Sequence, residues 1–325
     1  MPNTLRIQRN IAFLATGLFI IKTIAWWYTG SVAIFTDAME SIVNVATGFF
    51  GWYSVWLAAK PRDRNHPYGH GKVEFISAAI EGTLICIAGL IIVFEAVRKI
   101  GEPIVLHKLD FGLILIGITA VINFLVGIFA VKHGKTKRSA AVEAAGRHLT
   151  TDTYSTTGVI AGLVLLKISG WLWLDVVIAL TVAVIILFTG YKVLRGSLAG
   201  IMDEADFNLL NELIDYLNDH RRPEWTDLHN LRMIRYGNIL HLDGHLTLPW
   251  YYNVKEAHEE INALDRLIRQ KFGDAIEIFV HVDNCEPFSC PICPLKNCPV
   301  RLQPYHKTIK WTTENVLQNK KHRLD

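Results

Sequence analysis

Six stretches of mostly apolar residues fill the first part of the chain, and they restrict its fold more than any other feature. A helix that crosses the hydrocarbon core of a bilayer needs ~20 such residues. Inside lipid, only helices and closed barrels satisfy all their backbone hydrogen bonds. The pattern predicts a membrane α-helical bundle of six transmembrane helices, with spans at residues 10–29, 31–57, 76–97, 111–131, 142–166 and 171–191.

The loops between these spans differ in their content of Lys and Arg, which predicts the orientation of the bundle. The N-terminal segment, the loops after the second and fourth spans and the start of the fifth span together carry eleven Lys and Arg residues, and the opposite set carries four. Cytoplasmic loops are enriched in these residues, so both termini are expected in the cytosol. The N-terminus lacks a cleavable signal pattern. A net charge of +3 is too small to indicate nucleic-acid binding.

Charged residues become frequent after Asp203, and the pattern there changes to that of a soluble domain. "EADFNLLNELIDYLND" and "VKEAHEEINALDRLIRQKF" have helical periodicity, whereas "NILHLDGHLTL" and "AIEIFVHVD" alternate as strands do. The order helix, strand, strand, helix, strand predicts a cytosolic α+β domain that is ferredoxin-like, as in metallochaperones. We therefore divide the chain at 1–202, 203–284 and 285–325.

Polar side chains within the predicted membrane spans are the first candidates for a functional site. A charge near the bilayer centre costs at least ~2.5 kcal/mol, yet the second span contains Asp37, Glu40 and Asn44 at positions i, i+3 and i+7, on one helix face. In the fifth span, His148 and Asp152 share a face at i and i+4. Carboxylates with an imidazole suit Zn²⁺, Fe²⁺, Mn²⁺ or Co²⁺ better than Cu⁺. The alternative is that each residue only hydrogen-bonds a neighbouring helix.

A second cluster lies in the loop after the second span, within "DRNHPYGHGK" at 63–72. Asp63, His66 and His70 are close enough in sequence to hold a metal with one coordination position left open. The alternative interpretation is a solvated basic loop.

The polar second span, this loop and the H-x-x-x-D of the fifth span together resemble the cation diffusion facilitators, which are dimeric exporters of divalent metals driven by proton antiport. The resemblance implies a transport site made of Glu40, Asn44, His148 and Asp152. The second span departs from the family pattern, which usually has Asp or His first and Asp second. Because Asn44 is neutral, Asp37 is the alternative fourth ligand.

The same resemblance implies two further metal sites. It assigns Asp63, His66 and His70 to a site in the loop. It also implies a cytosolic site that bridges or tightens the dimer, formed by His229, His245, His258, His281 and Asp283. Titrating surface histidines are the alternative for the cytosolic set.

Four cysteines follow the last predicted strand, at Cys285, Cys290, Cys293 and Cys298. Their spacing could enclose one tetrahedral Zn²⁺. The first three also fit the C-x₄-C-x₂-C run of plant-type iron–sulfur sites, and unligated thiols are the third possibility. The resemblance does not decide among these. The remaining stretch is polar and predicts an exposed helix.

Taken together, the expected function is export of a divalent metal cation by proton antiport with alternating access. Zn²⁺ is the first candidate cargo, with Fe²⁺, Co²⁺, Cd²⁺ and Mn²⁺ as the others, and Zn²⁺ or a similar ion is also expected in a structural or regulatory role. The expected partners are the lipid bilayer, a second copy of the chain, metal ions and protons, and the expected location is a bacterial inner membrane. A passive metal channel is the alternative. An intramembrane metalloprotease would need a helical H-E-x-x-H, which the sequence lacks, so no enzymatic activity is expected.

Overall fold

The computed structural model of the chain divides into two compact units, residues Met1–Ile201 and Met202–Asp325. It describes residues 2–100, 108–136, 140–236 and 239–324, and within these ranges the side chains of 2–5, 8, 134–136 and 140–145 are not described.

In the described part of the first unit there are six long helices, as predicted. They are α1 (Pro2–Thr29), α2 (Val32–Ala58), α3 (Val73–Lys99), α4 (Leu109–Thr136), α5 (Ala140–Ser169) and α6 (Leu174–Ile201). The last helix continues ten residues past the predicted end of its span. The extension stays helical because it packs along α3, where a side chain at Gly200 would collide with the ring of Phe75.

The polar helices lie among apolar ones. Within the described residues, four helices (α1, α3, α4 and α6) are long and apolar enough to cross a membrane by composition. The other two, α2 and α5, carry the candidate ligands. Helix α2 contacts α1, α3, α5 and α6, and α5 contacts α1, α2, α4 and α6. This arrangement lets the polar faces of α2 and α5 meet each other.

The N-terminus of α2 is capped by a carboxylate from another helix. Asp175 of α6 is fully buried and accepts hydrogen bonds from the Ser31 hydroxyl (2.5 Å) and from the backbone N–H groups of Val32 (2.7 Å) and Ala33 (3.1 Å). A negative charge at this position satisfies unpaired N–H groups and complements the positive end of the helix dipole. Gly30, with φ of 67°, makes the preceding turn.

Helices α3 and α6 approach each other closely through small residues. A Cβ atom at Gly82 would lie 2.7 Å from the backbone nitrogen of Leu194. Close backbone approach of this kind is the usual basis of helix packing in membranes.

The second unit has the predicted order of elements. These are α7 (Phe207–Asp219), β1 (Asp227–Tyr236), β2 (Ile239–Leu248), α8 (Val254–Phe272) and β3 (Ile276–Asn284). The sheet has the order β1-β2-β3, with β1 antiparallel and β3 parallel to β2. Helix α8 makes the crossover that a parallel pair requires.

The segment after β3 is folded onto this unit. It contains a short 3₁₀ turn (Pro287–Ser289) and the single-turn helix α9 (Thr313–Val316). Trp311 and Val316 belong to the hydrophobic core, and Arg221 lies 4.0 Å above the Trp311 ring. The prediction of an exposed polar helix is therefore wrong, because two apolar side chains in the polar stretch anchor it in the core.

Candidate metal centres

The faces of α2 and α5 meet at Asn44. Its side-chain NH₂ donates to Asp152 Oδ2 (2.5 Å), and its Oδ1 lies 2.7 Å from His148 Nε2. Because an amide oxygen only accepts, the proton between Asn44 and His148 belongs to Nε2 of the imidazole. One amide thus bridges the two predicted ligands of α5.

Glu40 completes this group. Its Oε2 accepts a hydrogen bond from the Ser155 hydroxyl (3.1 Å), and Glu40, Asn44, His148 and Asp152 all line one cavity of about 600 Å³. The structure therefore brings together the four residues that the resemblance implied. Sequence reasoning missed Ser155, although it stands three residues after Asp152 on the same helix face.

Asn44 and His148 also line a second cavity, of about 370 Å³. This cavity extends along α2 toward its C-terminal end, past Gly51 and Val55. The first cavity holds Glu40, nearer the N-terminal end of α2. Asn44 and His148 thus lie between the two cavities.

Asp37 is separated from this group by an ion pair. Lys22 Nζ of α1 lies 2.9 Å from Asp37 Oδ1, and both side chains are 1% exposed. The Thr156 hydroxyl donates to the same carboxylate oxygen (2.6 Å). Asp37 is not among the residues that line the 600 Å³ cavity. The sequence analysis did not pair Asp37 with Lys22, although a lysine within a span needs a partner.

The loop cluster is assembled around one carboxylate. Asp63 Oδ1 lies 3.1 Å from His66 Nδ1, and Oδ2 lies 3.4 Å from His70 Nε2. The backbone N–H of His66, and to a lesser degree its side chain and the N–H of Asn65, lower the pKa of Asp63. The three ligand atoms fall within 4.8 Å of one another. A carboxylate kept ionised beside two imidazoles fits a divalent transition metal.

The sheet of the second unit assembles another group of three. Strand pairing places His229 opposite His245, and Asp283 stands two pairs further along β2 and β3, opposite Thr247. Asp283 Oδ2 lies 3.2 Å from His229 Nε2 and 3.0 Å from His245 Nδ1. These atoms also meet within 4.8 Å.

The other two residues expected in this set lie differently. His281 Nε2 is 3.9 Å from Asp283 Oδ1, with 68% of its side chain exposed, so it stands at the edge of the group. His258 is exposed on α8 and is outside the group in the single chain. The hydrophobic face of α8 packs on the sheet, which directs His258 elsewhere.

A buried carboxylate supports the cytosolic group from behind. Asp227 Oδ2 lies 3.1 Å from His229 Nδ1 and accepts the backbone N–H of His322 (3.0 Å). The ring of His322 contacts the other oxygen of Asp227. Burial alone would lower the pKa of His322, but Asp227 outweighs burial and raises it. A carboxylate that holds the free nitrogen of a ligating imidazole is a common support in metal sites, and sequence reasoning missed it.

The four cysteines converge as well. All are free, and together they line a cavity of about 20 Å³. Their Sγ atoms do not form a group of three within 4.8 Å. Burial, followed by the neighbouring cysteines, raises the pKa of the Cys285 thiol.

Comparison with known proteins agrees with this architecture. A family model described as the cation efflux transmembrane domain matches residues 10–202, and one described as the cytoplasmic domain of cation efflux proteins matches 206–285. An uncharacterized transporter of Synechocystis sp. is 30% identical over 287 residues, which is 87% of this chain and 92% of that protein. The cation-efflux pump FieF of Pectobacterium atrosepticum is 27% identical over 290 residues, or 87% and 94% of the two chains. FieF of Escherichia fergusonii is 25% identical over 273 residues, or 84% and 90%.

A bundle of mostly apolar helices, in which α2 and α5 bring polar ligands together, is followed by a small α/β domain. This combination defines an integral membrane transporter for cations. The chain belongs to the cation diffusion facilitator family. Members of this family carry divalent cations out across a membrane and are transporters, not enzymes.

Proposed function

We propose that this chain exports a divalent transition-metal cation in exchange for protons, with Zn²⁺ as the expected cargo. The observation that carries the proposal is the convergence of Glu40, Asn44, His148 and Asp152 in one cavity, while Asn44 and His148 also line a second cavity. An imidazole with oxygen donors suits Zn²⁺ and its neighbours. Fe²⁺, Co²⁺, Cd²⁺ and Mn²⁺ are the competing cargoes.

The hydrogen bonds at the site support coupling to protons. His148 must carry its proton on Nε2 to bond Asn44 Oδ1 (2.7 Å), and this is the nitrogen nearest the other ligands. A metal that binds there has to displace this proton, because ligands bind metal in their deprotonated form. In a neutral imidazole this proton moves to Nδ1, so a net exchange requires that the empty site carries one proton more, as imidazolium at His148 or as a carboxylic acid at Glu40 or Asp152. Entry of a cation releases that additional proton, and its return expels the cation.

The two cavities support alternating access. In one state the site opens to the cavity toward the C-terminal end of α2, where Glu74 and Glu81 also line the wall. In the other it opens to the cavity that holds Glu40. Rocking of helices around a fixed midplane site is how many transporters expose it to each side in turn. The excess of Lys and Arg in one set of loops supports a cytosolic position for the first opening.

Asn44 gives this site its particular charge. With Glu40 and Asp152 ionised and His148 and Asn44 neutral, the four residues carry a formal charge of −2, which one dication neutralises. Lys22 holds Asp37, which favours Asn44 over Asp37 as the fourth ligand.

The remaining sites have accessory roles in this proposal. The transport domain is 1–202, with the Asp63, His66 and His70 loop as a second metal site. The domain at 203–284 pairs with a second copy, and metal at His229, His245 and Asp283 tightens the pair, with the exposed His281 and His258 available to the partner copy. The protein lies in a bacterial inner membrane with both termini in the cytosol.

Flux into proteoliposomes tests the proposal. Purified protein is reconstituted with a metal-sensitive dye inside, and uptake of Zn²⁺ is measured with and without a pH gradient. We expect uptake to follow the gradient and to move protons in the opposite direction. A panel of the five cations ranks the cargoes.

Asp152→Asn should abolish this flux, because it removes a charged ligand while keeping the side-chain shape. Asp110→Asn is the matched control, since Asp110 is exposed, pairs with Lys167 and does not line the cavity. Metal flux that does not depend on the pH gradient and moves no protons would instead indicate a passive channel. Normal flux through the Asp152→Asn variant would show that the α5 ligands do not form part of the transport site.

A further inference from the structure

The segment from Cys285 to Cys298 lies beyond both matched family domains apart from its first residue. Its four thiols surround a cavity of about 20 Å³, which is enough for one water-sized occupant. The cavity is therefore a site that the transport function does not use.

Backbone hydrogen bonds fix the loop around this cavity. The N–H of Cys285 bonds the carbonyl of Leu248 (2.8 Å), which continues the pairing of β2 and β3. The N–H of Cys293 bonds the carbonyl of Ser289 (3.1 Å) in a tight turn, so that Cys290 and Cys293 have the C-x₂-C arrangement found in zinc knuckles.

A single arginine holds the rest of the loop. The guanidinium of Arg301 donates to the carbonyls of Cys290 (2.8 Å), Cys293 (3.1 Å) and Leu295 (2.5 Å). Arg301 also lines the cavity. Its positive charge therefore stands beside the four sulfur atoms.

Two further donors point at sulfur. The backbone N–H of Trp250 bonds Cys285 Sγ (3.4 Å), and the Thr226 hydroxyl bonds Cys293 Sγ (3.5 Å). Hydrogen bonds from outside the ligand set are the usual support of metal-bound thiolates.

We propose that Cys285, Cys290, Cys293 and Cys298 bind one thiophilic dication, Zn²⁺, at a structural site independent of transport. Four thiolates and one Zn²⁺ leave a net charge of −2, which Arg301 partly offsets. A Zn–S distance of ~2.3 Å requires sulfur atoms roughly 3.8 Å apart. The described Sγ atoms are more widely spread than that, so binding draws the loop inward.

The bound ion would tie the C-terminal segment to the sheet. Thr226, which bonds Cys293, directly precedes Asp227, which contacts His229 and the ring of His322. Closing the loop therefore fixes the support of the cytosolic His–Asp group as well as the tail.

Cobalt binding to the full-length protein tests the site. Chelator-treated protein in detergent, kept reduced, is titrated with Co²⁺, whose tetrahedral thiolate complexes have intense ultraviolet charge-transfer and visible bands. We expect one equivalent per chain to produce these bands and Zn²⁺ to abolish them. Cys293→Ser should lose the tetrathiolate spectrum, whereas Cys86→Ser, the matched control in α3, should keep it.

Two more variants keep the test decisive. Cys298→His should still bind one Co²⁺ with a changed spectrum, which a merely misfolded loop would not. Asp152→Asn should keep the full thiolate spectrum even though its transport is lost, so the two proposals fail separately. Absence of thiolate bands in the wild type would overturn the proposal, as would bound iron with inorganic sulfide, or thiols that react equally fast with and without Zn²⁺.

Discussion

The ion pair between Lys22 and Asp37 predicts a large stability effect from one substitution, Lys22→Met. This change keeps the length of the side chain and removes its charge. Both partners are 1% exposed and their atoms are 2.9 Å apart. Breaking a buried pair from one side costs about 3–5 kcal/mol, because a charge is left unpaired. The Thr156 hydroxyl still bonds Asp37, so we expect the lower end, about 3 kcal/mol.

The free energy of unfolding in mixed micelles measures this effect. Lys167→Met is the matched control, because Lys167 pairs with Asp110 while their side chains are 53% and 69% exposed. An exposed pair contributes about 0–1 kcal/mol. The double variant Lys22→Met/Asp37→Leu should recover most of the loss, because it leaves neither charge behind.

The double variant also decides the role of Asp37 in binding. It should retain metal at the transport site, since the cavity ligands remain. If it binds no metal, Asp37 is a ligand. If Lys22→Met costs no more than Lys167→Met, the reasoning from burial is refuted.

Three further predictions concern other contacts. Asn44→Asp replaces the amide that donates to Asp152 with a carboxylate. Isothermal titration should show tighter Zn²⁺ binding that weakens more steeply as pH falls, and the flux assay should show slower turnover. An unchanged affinity profile across pH would mean that Asn44 is not a ligand. Asp175→Ala should lower the free energy of unfolding by about 2 kcal/mol or more, because three buried donors lose their acceptor, whereas the exposed Asp110→Ala should change little. Because the pKa of His322 is raised, its contact with Asp227 stabilises the second unit below about pH 6.5, and this stabilisation is lost as pH rises through the raised pKa. Denaturant unfolding should show this loss in the wild type, and the free energy of unfolding of His322→Gln should depend less on pH.

The helices could be predicted because their signal is local. Spans, strands and the facing pairs on α2 and α5 all follow from periodicity within one segment. The order of elements in the second unit was predicted correctly for the same reason, since alternation and helical period are read within short windows.

Contacts that depend on how helices rotate against each other could not be predicted. Whether Asp37 faces the cavity or Lys22 depends on the packing of α1 on α2, which no single segment encodes. The position of His258 depends similarly on which face of α8 packs on the sheet. The tail was misjudged because Trp311 and Val316 are isolated apolar residues in a polar stretch, and two residues give no periodic signal.

The carboxylate at the start of α2 has an electrical consequence for the path of the cargo. A helix of this length presents roughly half a positive charge at its N-terminus, and in the proposed cycle the cation leaves through the cavity that holds Glu40, the ligand nearest to that end of α2. Uncompensated, it would repel a departing dication. Asp175 bonds two of the N–H groups that carry this partial charge, those of Val32 and Ala33, so it offsets the field along the axis of α2. In the proposed cycle, the same side chain that joins α6 to α2 thereby lowers the electrostatic barrier to release of the cation.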